Sequence, residues 1–239
     1  IADQICAAMV REGLSPEEAR GRFYLIDRHG LVLEDAPELM SAQKPYAKSS
    51  ALGHMNLLNI IQHIKPTILI GTSAQGGSFT QEVIEAMMQG ITQRPIIMPL
   101  SNPTECSEAN PADVLAWTNG KALIATGSPF PNIAQCNNAL VFPGIGLGVL
   151  AVQAKEVTES MIWAACETLA QSAPVHRDPA GAILPGLNEA RHVARKIAHA
   201  VAEQACHEGV ARVDVINNNI EALIEQTRWE PRYLPFKSL

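Results

Sequence analysis

Long apolar runs are missing from this sequence. No segment carries the roughly eighteen uninterrupted apolar residues that a membrane-spanning helix needs, so no membrane association is expected. Basic clusters are missing too: 18 lysines and arginines stand against 24 aspartates and glutamates, for a net charge of -6. Without grouped cations to neutralise phosphates, nucleic acid is not an expected partner. A phosphate-bearing small molecule stays compatible, because backbone amides and helix N-termini hold phosphate without net positive charge. The five cysteines, Cys6, Cys106, Cys136, Cys166 and Cys206, are odd in number, widely spaced and without a CxxC. That argues against a disulfide framework or zinc knuckle and for buried free thiols in a reducing, cytoplasmic compartment. No Ser/His/Asp triad, no carboxylate pair at metal-ligand spacing and no lysine in a pocket motif is evident, so neither a catalytic residue nor a metal ligand is assigned to this chain.

What is present is globular in texture, with 47% apolar and 18% charged residues over 239 positions. That length suits one large or two small domains. The chain is organised around Arg94–Thr104, RPIIMPLSNPT, an apolar run that stops at a Ser-Asn-Pro-Thr turn. Such a run, bounded by prolines, reads as a strand buried on both faces in a parallel sheet. Asn102 follows its carboxyl end, where ligands gather in open parallel sheets. It is either an uncharged binding amide or an Asx turn between strand and helix.

In chain order, Ile1, Ile5, Ala8 and Met9 form a helical stripe that Gly13 ends, and Ser15-Pro16-Glu17-Glu18 opens a second helix. Because Ile1 already falls inside a helical pattern, the chain is expected to begin after earlier elements. RFYLID then predicts a strand ending at Asp27. A carboxylate ending the second strand of a dinucleotide fold accepts from ribose hydroxyls; the alternative for Asp27 is a solvated turn. A helix carrying Leu57, Leu58, Ile61 and Ile64 precedes the strand TILIG, the glycine-rich loop Gly71–Gly77 and a helix from Thr80 to Gln89. After SNPT come a helix over Pro111–Thr118 and the strand ALIAT. Strands near residues 24, 69, 98 and 124, alternating with helices, predict an α/β fold: a doubly wound, Rossmann-type parallel sheet with all four strand ends on one rim.

Gly144, Gly146 and Gly148 make a GxGxG that we do not read as a nucleotide fingerprint, because it continues into the apolar run LGVLAV; close helix packing is expected instead. The neighbouring Asn137 and Asn138 are either substrate-binding amides or helix caps. Residues 151–239 read as mostly helical, with one stripe from Thr158 to Ala170 and another from Ala190 to Ala205. Trp229, Tyr233 and Phe236 make the tail too aromatic for water, so it is expected to dock on the domain or on a partner subunit.

Taken together, FYLIDRHGL, KPTILIGTSAQGGSFT, RPIIMPLSNPTECSEA, ATGSPF, QCNNALVFPGIGLGV, the VTESM helix and RWEPRY resemble, in that order, the C-terminal NAD-binding domain of malic enzymes, most closely the large NAD-dependent bacterial form. The resemblance covers virtually the whole chain, so residues 1–239 are expected to form that domain. It implies oxidative decarboxylation of (S)-malate to pyruvate and carbon dioxide, with NAD and a divalent metal, magnesium or manganese, bound by residues outside this chain. It further implies that Asp27 binds the ribose, that Gly71, Thr72 and Ser73 line the cofactor with Asn102, and that Asn102, Asn137 and Asn138 hold malate. Gln43 falls where NADP-preferring relatives place a lysine, although Lys44 is adjacent. The family's catalytic tyrosine, lysine and aspartate, its metal carboxylates and its glycine fingerprint would all precede Ile1. Partners implied are therefore an N-terminal catalytic domain and further copies of the same chain, and the chain alone is expected to be inert. Between SPF and the QCNN segment the family carries a longer loop than Pro131–Ala134 provides. Two other readings remain open at this stage: another Rossmann dehydrogenase of an organic or amino acid, and a non-catalytic nucleotide-sensing domain.

Overall fold

The computed structural model describes residues 1–213, 219–230 and 233, and the chain divides into two compact units, Ile1–Ile133 and Ala134–Leu239. Unit 1 opens with α1 (Ala2–Arg11), which buries Cys6 beside Ala19 and Tyr46. At α2 (Pro16–Gly21) the Ser15 hydroxyl accepts from the Glu18 amide at 3.2 Å, and the Glu18 carboxylate accepts from the Ser15 amide at 3.0 Å. Two amides that the first turn cannot pair internally are thereby satisfied.

RFYLID does not supply a strand of the parallel sheet. Only Ile26–Asp27 (β1) is extended with a partner, and that partner is the antiparallel β2 (Gly30–Leu31). The turn between them is the physical reason. Gly30 has φ +96° and the Asp27 Oδ1 accepts from the His29 amide at 2.8 Å, so the chain reverses at once. The aromatic residues upstream bury against loop residues instead: Phe23 meets Tyr46 edge-on with centroids 5.2 Å apart, and the Lys48 ammonium lies 4.4 Å from the centre of the Tyr24 ring.

The other three strands are as the apolar runs predict. After α3 (Leu57–Ile64) come β3 (Ile68–Gly71), α4 (Gln81–Gln89), β4 (Ile96–Pro99), α5 (Pro111–Trp117) and β5 (Leu123–Thr126). The strands are parallel and in chain order, with Leu69 opposite Ile97 and Ile97 opposite Ile124. These three residues share one core with Val83, Ile84 and Met87 of α4 and Val114 of α5. Ile84, Met87 and Ile97 are completely buried, and each contributes about 1.5–3 kcal/mol of hydrophobic stabilisation. Because spatial order follows chain order, right-handed crossovers put α4 and α5 on the same face. The strand ends Gly71, Pro99 and Thr126 therefore lie along one rim, with Asp27 on a separate hairpin.

Unit 2 is built around α8 (Ala190–His207), whose buried Val193, Ala194, Ile197, Ala198, Val201, Ala202 and Ala205 follow the three-and-four spacing read from the sequence. Against it pack α6 (Phe142–Ala151), α7 (Glu159–Gln171) and α9 (Ile220–Thr227). Gly144 and Gly148 face α8 directly: a Cβ on Gly144 would lie 2.7 Å from the Ala194 carbonyl oxygen, and one on Gly148 2.5 Å from that of Ala198. The GxGxG segment is thus a helix-packing seam. A Cβ on Gly146, between them, would meet nothing within 4 Å beyond its own helix's backbone.

One smaller expectation needs correction. Cys6 is buried, but Cys106 and Cys206 are partly exposed and Cys136 and Cys166 exposed; all five thiols are free. In the tail, Trp229 is 79% exposed and Tyr233 fully so among the described residues, and Phe236 lies outside them. Among the described residues, no helix is long and apolar enough to cross a membrane.

Candidate functional site

The rim of the parallel sheet in unit 1 holds four of the residues singled out in the sequence. Gly71 ends β3 and is buried, and Thr72 and Ser73 follow it into an exposed loop. Asn102 lies three residues past β4, exposed, before a cis peptide to Pro103. Gly127 and Ser128 follow β5 on the same rim.

These loops are tied to one another by polar groups beneath them. Ser128, only 3% exposed, donates from its hydroxyl to the Asn102 Oδ1 at 2.6 Å. With one lone pair of the carbonyl oxygen engaged, the two N–H donors of Asn102 remain to be offered to a ligand. Gly127 makes room for that amide: a Cβ there would sit 2.8 Å from the Asn102 Nδ2 and 2.2 Å from the Leu100 carbonyl oxygen. The glycine-rich loop is pressed onto the segment after Asn102. The Gly77 amide donates to the Ser107 carbonyl at 3.0 Å, the Phe79 amide to that of Glu108 at 2.9 Å, and a Cβ on Gly76 would lie 2.2 Å from the Glu105 carbonyl oxygen. The loop's glycines serve close backbone approach, and Thr72 to Gln75 are exposed residues, although the Ser73 hydroxyl turns inward.

Glu108 is the residue that the sequence reading missed. Its side chain is completely buried and its Oε1 accepts from the Ser73 amide at 2.8 Å, the Ser73 hydroxyl at 2.9 Å and the Ser101 hydroxyl at 2.6 Å. Its Oε2 accepts from the Ser101 amide at 3.3 Å. Burial pushes this carboxyl up, yet the bonds from Ser101 and Ser73 outweigh it and hold the group below the ordinary glutamate value. In sequence, ECSEAN looks like a solvated acidic loop, and only the spacing to Ser101 hints at a local partner.

The second cluster in unit 1 joins Asp27 to Gln43. The Gln43 Nε2 lies 3.4 Å from the Asp27 Oδ2, and its Oε1 accepts from the Met40 amide at 3.0 Å. Asp27 is exposed, and with Oδ1 on its own turn its Oδ2 makes, among the described residues, only that long contact. Arg28 is paired with Glu38 at 2.8 Å, both well exposed, a contact worth little in water. In unit 2, Asn137 caps a single 3₁₀ turn over Asn138–Leu140, its Oδ1 accepting from the Ala139 amide at 2.9 Å. The capping role weighed from the sequence is therefore real, and it leaves the same two donors that Asn102 has. Asn138 is exposed.

A dinucleotide fits what unit 1 provides. An exposed carboxylate oxygen next to a neutral amide suits ribose hydroxyls and repels a 2′-phosphate, and a glycine-rich strand-end loop suits close approach by backbone. Among the described residues no group of three or more His, Cys, Asp or Glu side chains is placed to hold a metal ion.

Comparison with known proteins gives a consistent picture. The family described as "Malic enzyme, NAD binding domain" matches residues 1–206. The NAD-dependent malic enzyme of Acinetobacter baylyi is 44% identical over 99% of this chain, and that of Photorhabdus laumondii is 45% identical over 99%. The chain spans 44% and 45% of those two relatives, respectively. Among solved structures, the malic enzyme of Entamoeba histolytica superposes with TM-score 0.69 at 24% identity, covering 92% of this chain and 43% of that one. The malic enzyme of Pyrococcus horikoshii superposes with TM-score 0.60 at 28% identity, covering 82% of this chain and 43% of that one. With a Rossmann-type parallel sheet, a rim of loops and a family match over most of its length, the chain belongs to the malic enzyme family, as its NAD-binding domain.

Proposed function

We propose that this chain is the NAD- and malate-binding part of an NAD-dependent malic enzyme that converts (S)-malate to pyruvate and carbon dioxide. The observation that carries the proposal is the Asn102 amide at the strand-end rim, with its oxygen held by Ser128 and its N–H donors left over. Malate presents two carboxylates and a hydroxyl, a ligand rich in acceptors that a neutral donor can orient without competing for its charge. Asn137, whose amide oxygen likewise accepts one bond, from the Ala139 amide, is a second donor, with Asn138 beside it. Bound NAD supplies the hydride acceptor, and a divalent metal held by residues outside this chain supplies Lewis-acid polarisation. In this reading Asp27 accepts from the ribose hydroxyls, Gly71, Thr72 and Ser73 lie against the cofactor with Asn102, and residues 1–239 act as one cofactor domain.

The catalytic residues and a further domain of the same protein would complete the site, and the protein would act in the cytoplasm as a homo-oligomer. Exposed Trp229 and Tyr233 are available to a neighbouring subunit. Similarity to proteins named NAD-dependent malic enzymes favours this reading over another Rossmann dehydrogenase or a nucleotide sensor.

Cofactor choice gives the test. Asp27→Ala in the full-length enzyme is expected to raise the KM for NAD roughly tenfold, the worth of about one charge-assisted hydrogen bond, with the malate KM within about twofold of wild type. Adding Gln43→Lys is expected to lower the KM for NADP while that for NAD stays high, because an ammonium replaces an amide beside the ribose position. Steady-state kinetics with both cofactors reads this out. Equal losses for NAD and malate in Asp27→Ala would count against the assignment.

A further inference from the structure

We propose that Glu108 is a positioning residue that sets the cofactor loop and the malate-binding amide together, so that one buried carboxylate couples the two binding sites. The proposal rests on the reading above, in which Asn102 binds malate and Gly71–Ser73 line the cofactor. Glu108 bridges the ends of two different strands. Ser73, following β3, and Ser101, next to Asn102 after β4, converge on its Oε1 with three donors between 2.6 and 2.9 Å. Ser101 extends the link, since its hydroxyl oxygen accepts from the Ala74 amide at 2.9 Å. Of the buried polar and charged side chains among the described residues, Glu108 alone carries a formal charge, and it lies directly under the rim.

Its own placement is fixed by main chain. The Glu108 carbonyl accepts from Phe79, and the preceding Ser107 carbonyl accepts from Gly77. Gly71 is needed for the same reason, because a Cβ there would lie 2.5 Å from the Glu108 carboxyl carbon. The charged form suits the task. An ionised carboxylate is an acceptor only, and all four groups facing it are N–H or O–H donors, so ionisation lets each bond form at full strength. Burial opposes that ionisation, but the serine bonds hold the carboxyl below its ordinary 4.5. The clamp is thus intact at neutral pH and is lost only as pH falls through that lowered value.

A residue at one binding site perturbs one ligand, whereas the loss of this clamp frees both loops. Displacements near 1 Å in positioning groups can cost on the order of a hundredfold in turnover, so effects of tenfold are within reach. The experiment uses the full-length enzyme with Glu108→Gln, Glu108→Ala and Asn102→Ala, singly and with Glu108→Ala combined with Asn102→Ala. Steady-state constants for NAD and malate are measured with the thermal midpoint of each variant. Glu108→Ala is expected to raise both KM values about tenfold, and Glu108→Gln, which keeps one acceptor oxygen, about threefold. In the Asn102→Ala background the malate effect of Glu108→Ala should shrink to within about twofold, while the NAD effect persists.

A merely structural Glu108 would lower the thermal midpoint with both KM values unchanged, or give the same malate loss in both backgrounds; either result overturns the proposal. Should Glu108→Ala fail to fold, Glu108→Gln decides alone, and unchanged constants there overturn it. Unchanged malate kinetics in the single Asn102→Ala variant would instead overturn the reading of Asn102, and the proposal with it.

Discussion

Replacing Asn102 by alanine in the full-length enzyme is expected to lower kcat/KM for malate by about a hundredfold to a thousandfold, the usual effect of removing one preorganised donor from a reacting site. Little of that loss should come from unfolding. Asn102 is exposed, and the one bond its side chain gives up among the described residues is from the Ser128 hydroxyl, which leaves a buried donor unsatisfied at a cost on the order of 1–2 kcal/mol. Asn102→Asp separates the two roles. The carboxylate keeps an oxygen for Ser128, so the loop stays in place, but it has no N–H to offer and repels a dicarboxylate substrate. It should therefore melt close to wild type and lose at least as much malate turnover as alanine. An Asn102→Asp enzyme with normal malate kinetics would remove Asn102 from the site.

The second large effect is on stability. Gly144→Ala and Gly148→Ala are each expected to destabilise the protein by about 1–3 kcal/mol, whereas Gly146→Ala should be neutral or stabilising by about 0.5–1 kcal/mol. All three residues lie in the same helix and pay the same backbone entropy, so propensity alone would make every alanine helpful. Contacts decide otherwise. At 144 and 148 the methyl group would run into main-chain carbonyls of α8, which cannot rotate away as a side chain can, and the two helices would have to separate. At 146 the space is open. Denaturant midpoints of the three single variants test this. A uniform gain across the three would mean that the glycines are not a packing seam, and a selective loss of NAD affinity would revive the fingerprint reading.

Much of the local structure was legible because caps and breakers are written in short spans. Ser15 with Glu18, Thr80 before α4 and Thr158 before α7 each mark the helix start that the structure has. The apolar runs at 68–71, 96–99 and 123–126 are strands for the reason their composition predicts, since they pair on both edges of β4 and pack under α4 and α5. RFYLID has the same composition without being such a strand. Branched and aromatic residues fit any half-buried extended segment, and what distinguishes this one is the turn DRHG, where Gly30 at positive φ reverses the chain.

The site was readable in part. Asn102, Ser73 and Gly71 are at the rim because strand ends are where a parallel sheet exposes them, and Asp27 meets Gln43 across a contact between positions 16 apart. Glu108 was invisible for an equally physical reason. Its partnership with Ser73 spans 35 positions, and a buried acid looks no different in sequence from a solvated one until its donors are in place.

The central claim is that cofactor and substrate meet at the carboxyl ends of these strands, and a crystal structure of the full-length protein with NAD and malate bound tests it most directly. The adenosine ribose should lie within hydrogen-bonding distance of Asp27, the dinucleotide should run along Gly71–Ser73, and the Asn102 amide should donate to malate. A dinucleotide bound away from that rim, with Asp27 and Asn102 both in solvent, would contradict it.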